Sequence, residues 1–193
     1  MKLSKRIISS LLVLAALSAC AESPTPPTVS ERDVDRAFAE ANRISELPQT
    51  SVNNLPSGSV TYDGQIGANV TGDANGSILA DMTMIVGFDS NDIAGNVTNI
   101  NLIDRDGTPN QQLGGTLRIN GIENDGNLDA VAAGQITGVD VDGFEVDSQV
   151  DLDLNGAVYD DFVEGDTVFG EVVGEANGDF DLEIDGVFFG TEN

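Results

Sequence analysis

One set of carboxylates in this sequence has the spacing of a known ligand set: Asp181-x-Glu183-x-Asp185-Gly186, with Glu192 six residues after the glycine. Oxygen donors at positions 1, 3, 5 and 12 of a twelve-residue loop, with Gly at position 6, hold calcium. Here Glu stands where a shorter Asp or Asn would serve, and no helical pattern precedes Asp181. The same letters also describe a strand with an acidic outer face. A second run, Asp151-x-Asp153-x-Asn155-Gly156, has Phe162 where the bidentate Glu is needed. The expectation is no metal and no cofactor, with Asp181, Glu183, Asp185 and Glu192 as the calcium candidate. The 193 residues contain no His, no Trp and one Cys, which removes Ser-His-Asp and Cys-His nucleophilic systems, His-ligated zinc and iron-sulfur centres. Paired carboxylates could hydrolyse glycosides, but among 33 acids chance pairs are unavoidable. Only Tyr62 and Tyr159 could stack on a sugar. No catalytic residue is expected, and the protein is read as not an enzyme.

The remaining reactive group is the thiol of Cys20. Residues 1 to 20 run from a basic start (Lys2, Lys5, Arg6) through an apolar stretch, Ile7 to Leu17, into Leu17-Ser18-Ala19-Cys20. The stretch is short for a membrane span and has the pattern of a secretory leader. Its last four residues resemble the lipobox of bacterial lipoproteins. That resemblance implies cleavage before Cys20 and a diacylglycerol joined to its sulfur. Two or three acyl chains, at about 0.8 kcal/mol per buried methylene, make a permanent anchor. Ala21 follows, where an Asp would imply retention at the inner membrane, so an outer-membrane location is expected, periplasmic or surface-exposed.

Charge then narrows the partners. Beyond the leader, five Arg face 33 acids, and from Gly58 onward only Arg105 and Arg118 oppose 27. Such a surface repels phosphates, so no nucleic-acid partner is expected. Solubility is the plainest use of this acidity.

The elements that would carry these groups divide the chain into a leader (1–19), a lipidated Cys and Pro-rich tether (20–29), a short helix (30–47) and an acidic β domain (58–193). Pro24, Pro26 and Pro27 prevent helix and ladder in the tether. Ser30 followed by Asp33 opens a helix whose stripe of Val34, Phe38, Ala41 and Ser45 predicts docking through Phe38. All 22 Gly lie at or after Gly58. Within that region apolar residues alternate with polar ones: Val60, Tyr62, Ile66, Ala68 and Val70 on one parity, and later Phe144, Val146, Val150, Leu152 and Leu154 between carboxylates. Signals such as Asn124-Asp125-Gly126 and Asp142-Gly143 mark short turns. The pattern predicts an all-β domain, an antiparallel up-and-down β-barrel of about eight strands. Its small inward residues predict a packed interior, with Met82, Phe144 and Leu152 together, more than the open lumen of a lipocalin-like carrier.

Gly58-x-x-x-Tyr62-x-Gly64, Ile93-x-Gly95-x-Val97 and Gly186-x-Phe188-Phe189-Gly190 resemble the β-barrel domain of transferrin-binding protein B and its surface-lipoprotein relatives. Over residues 58 to 190 the resemblance implies a barrel on a lipid anchor and a protein partner, without carrying over transferrin or iron as ligand. The expected function is a protein-binding module of the envelope, its rival a structural acidic coat without a dedicated ligand.

Overall fold

The computed structural model describes residues 23–140, 142–163 and 165–193. Cys20 and the leader lie outside them. The strands are β1 (Ser59–Gly72), β2 (Gly76–Gly87), β3 (Asp92–Asp104), β4 (Pro109–Gly115), β5 (Leu117–Asn124), β6 (Asn127–Val139), β7 (Glu145–Asp161), β8 (Gly165–Gly178) and β9 (Leu182–Glu192). They form one antiparallel sheet that rings round, since β2 pairs with β3 as well as β1, and β9 pairs with β1 as well as β8. Each strand has a partner on both sides, which removes the exposed edge that invites aggregation.

The fold is all-β as expected, with nine strands among the described residues rather than about eight. The extra one comes from a break at Thr116. β3 pairs with β4 through Ile100–Ile103 and with β5 through Asp92–Val97, so both short strands occupy one place in the ring. Gly115 sits at the break with φ +111°, where a Cβ would lie 2.2 Å from the Gln135 carbonyl oxygen. Leu113 and Leu117 both face inward across it, which is why the sequence reads as one strand. β4 meets β6 only at Gly114 and Gly115. Beyond them the Gln111 side chain continues the ladder: its Nε2 donates to Val139 O (3.0 Å), and Val139 N donates to its Oε1 (3.2 Å).

Helix α1 (Glu31–Ser45) starts where Ser30 and Asp33 predict it. The Asp33 carboxylate accepts from the Ser30 backbone N–H (2.9 Å) and hydroxyl (2.7 Å). Those bonds, led by the hydroxyl and aided by Arg36 and Arg32, lower its pKa. The docking face differs from expectation. Ala37, Ala41 and Ile44 are buried, whereas Phe38 is 71% exposed. Residues 37, 41 and 44 form one stripe, and two alanines on it let the helix axis approach the sheet closely. Phe38 lies one residue, and so about 100°, round from that stripe. Beneath the helix, Leu79, Ile103 and Phe189 form an outer apolar layer separate from the interior core. The preceding arm is clipped to the sheet: Gln112 N donates to Thr25 O (2.9 Å) and Thr28 N to Asn101 Oδ1 (2.9 Å).

After the helix the chain crosses one end of the ring. Thr50 N donates to Val158 O and Asp160 N to Pro48 O, both at 2.9 Å, and Leu55 packs against the core. This lower end, where the β2–β3, β5–β6 and β7–β8 turns lie, is therefore stoppered. At the upper end stand the β1–β2, β3–β4, β6–β7 and β8–β9 connections.

Candidate functional site

Between the upper connections a cavity of about 940 Å³ opens into the ring. Its walls come from several strands: Val70 of β1, Ile78 of β2, Ile100 of β3, Leu113 of β4, Leu152 of β7 and Ile184 of β9. The void follows from how inward side chains are distributed. The bulky ones that fill the ring, Tyr62, Met82, Met84 and Phe188, lie toward the stoppered end or the middle, each 2% exposed or less. The upper half presents mostly Val, Leu and Ile, which are too short to meet across the centre. The expected packed interior is thus corrected. Met82 and Leu152 point inward, but Phe144 is 63% exposed. Phe144 precedes β7 in a tight turn, where Asp140 Oδ1 accepts from the backbone N–H of Asp142 and of Phe144, both at 2.9 Å. Outside the ladder, strand parity no longer sets its direction.

Five carboxylates stand at the mouth: Asp73, Asp104, Asp140, Asp142 and Asp179. Four of them hold turns. Besides Asp140, Asp104 accepts from Asn110 Nδ2 (2.9 Å), Asp73 from Asp181 N (3.0 Å) and Asp179 from Asp147 N (3.2 Å). No Lys or Arg is among the lining residues. Arg105 reaches the rim only through Asn75, whose Oδ1 accepts from its Nη2 at 2.9 Å. The arm passes here too, since Ser23 and Pro24 line the mouth. A site with deep apolar walls and a charged entrance can hold a hydrophobic body, and its volume lies within the ordinary range of ligand pockets, about 300–1,000 Å³.

A second polar feature lies near the stoppered end. Among the described residues the buried Tyr62 hydroxyl has no hydrogen-bond partner, and burial, then Asp166 and Glu192, push the phenol pKa up. Burial likewise raises the pKa of Asp166, against a hydrogen bond from Thr50 (3.2 Å). An unpaired hydroxyl in the core contributes only its desolvation penalty. Tyr62→Phe is therefore expected to raise stability by about 1 kcal/mol in urea unfolding. A loss of that size would show that the hydroxyl has a partner after all.

The calcium candidate is laid out along a strand. Asp181, Glu183 and Asp185 face solvent, alternating with buried Leu182 and Ile184. Glu192 lies at the far end of β9, about 30 Å from Glu183 at roughly 3.3 Å per residue. Asp151, Asp153 and Asn155 likewise face outward on β7. Among the described residues no group of three or more His, Cys, Asp or Glu could hold a metal ion. Sequence reasoning missed the cavity itself. The signal available was the lack of Met and aromatic residues at the inward positions of one half of the strands. Comparison with protein families, with curated proteins and with solved structures finds no match to this chain.

Proposed function

We propose that the protein is a non-enzymatic binding module of the bacterial envelope: an up-and-down β-barrel, anchored by lipid on Cys20 at the outer membrane, that holds a small hydrophobic molecule in its upper end. The cavity carries this reading, because a void of about 940 Å³ walled mainly by aliphatic side chains, with Phe180, favours an apolar occupant. The leader and its Cys support the anchor. The likeness of the Gly-rich motifs to surface-lipoprotein barrels supports the envelope setting. Among the described residues no helix is long and apolar enough to cross a membrane.

The test uses the mature chain with Cys20→Ser, made without lipid. Nile red, a neutral dye, is expected to bind saturably at one site, with its emission shifted to the blue. Val150→Trp, which fills the cavity from its wall, is expected to weaken that binding roughly tenfold or more. Binding that does not saturate, or that ignores the Trp, would refute the cavity as the site. A docking surface for a protein is the second reading, favoured by Phe162 and Val163. They are 88% and 90% exposed in the β7–β8 turn at the opposite end. Partner capture from envelope extracts that is lost in Phe162→Asp and kept in Val150→Trp would select it.

A further inference from the structure

From the lining of the cavity we infer that its ligand is an amphiphile with a hydrocarbon body and a positively charged head, such as a long-chain amine or quaternary ammonium compound. This rests on the cavity reading above and adds the chemistry of the head. The apolar walls, aliphatic side chains and Phe180, have no charged group to pair with, so whatever fills the depth is hydrocarbon. A head group left at the mouth meets Asp73, Asp104, Asp140, Asp142 and Asp179, with no Lys or Arg among the lining residues and Arg105 donating to Asn75 at the rim. The hydrogen bonds that four of these carboxylates accept hold the turns in place and leave the negative charges there. Each carboxylate has about four lone-pair sites, so one or two accepted bonds leave room for a cationic donor. A fatty-acid carboxylate or a lipid phosphate would be brought against those five charges, whereas an ammonium head would complete them.

The position of the mouth adds the source. Ser23 and Pro24 line it, and three residues of chain span at most about 10 Å. The anchor proposed at Cys20 therefore keeps the open end within reach of the bilayer surface. The ligand is drawn from the membrane surface rather than from bulk water, which suits a molecule whose body is insoluble.

The experiment uses the full lipidated protein reconstituted in phosphatidylcholine vesicles. Three photoactivatable probes share one hydrocarbon chain and differ in their heads: trimethylammonium, hydroxyl and carboxylate. Crosslinked peptides are mapped by mass spectrometry. Labelling of the walls, in the peptides holding Val150, Leu152 and Ile184, is expected to favour the ammonium probe over the carboxylate probe by on the order of tenfold at low salt. The ratio should fall toward unity in about 1 M salt, where screening acts within about 3 Å. It should also fall in Asp142→Asn/Asp179→Asn, since among the described residues the Asp142 carboxylate holds no turn and the amide oxygen introduced at 179 can still accept from Asp147 N. Equal labelling by ammonium and carboxylate heads, or a ratio unmoved by salt and by the Asn variant, overturns the charge inference while hydroxyl-probe labelling still upholds the cavity. Absence of wall labelling by all three probes overturns the cavity reading, and the inference with it.

Discussion

Arg43→Ala is expected to destabilise the protein by about 3 kcal/mol and to loosen the helix from the sheet. Arg43 lies in the last turn of α1 and pairs through Nη1 with Asp161, at the end of β7. Its Nε and Nη2 also donate to both oxygens of Glu40, at 3.1 and 2.7 Å. The asymmetry of burial sets the size of the effect. The Arg43 side chain is 37% exposed, but that of Asp161 only 4%. Without the guanidinium, the Asp161 carboxylate keeps the bond that its Oδ1 accepts from Val163 N (2.9 Å) and loses its paired cation. Removing the cation from a buried ion pair is costly, whereas an exposed pair is worth little. Arg43→Met combined with Asp161→Asn should recover most of the loss, since it removes both charges of the pair and keeps an acceptor for Val163. Urea unfolding of the non-lipidated mature chain measures both variants. A loss below about 1 kcal/mol for Arg43→Ala would mean that the pair behaves as a surface ion pair.

A larger loss, about 4 kcal/mol, is expected for Phe188→Ala. Phe188 is 0% exposed, and its ring lies over two glycines that face each other across β7 and β8. A Cβ at Gly156 would come within 2.6 Å of the ring, and one at Gly170 within 2.5 Å. The glycines make the slot and the ring fills it, so truncation leaves a void that backbone on two strands cannot close. Phe188→Leu should lose about half as much. The neighbouring Phe189 does different work, facing outward under Ala37, Ala41 and Ile44. Phe189→Ala is expected to release the helix with the interior core intact. The denaturation midpoint for Phe188→Ala should fall with its slope unchanged. A small loss would show that the ring is not seated between the glycines.

Much of the fold was legible in the sequence because the signals are local. Period-two alternation depends only on neighbouring residues, so the inward positions of β1 and β7 could be read directly; Val60, Tyr62, Val150 and Leu152 are buried as expected. The start of α1 at Ser30 and the short turns were legible for the same reason. The break at Thr116 was hidden, because Leu113 and Leu117 keep their parity across it. Phe144 misled, since it continues the alternation of a strand that begins only at Glu145.

By itself the sequence determined an acidic all-β domain and the residues that line its interior. The tertiary structure decided the rest, because the rest depends on residues far apart in the chain. Leu79, Ile103 and Phe189 lie on outward positions and look like exceptions to the pattern until the arm and helix cover them. Ala37, Ala41 and Ile44 displace Phe38 from the docking face, because what counts is how closely the helix can approach that layer rather than which of its residues is most apolar. The cavity is the least local feature of all. No strand encodes it, since it is the space left when six or more strands close with short aliphatic residues at one end and Tyr62, Met84 and Phe188 farther down. Its acidic mouth likewise exists only because four separate connections arrive at the same end of the ring.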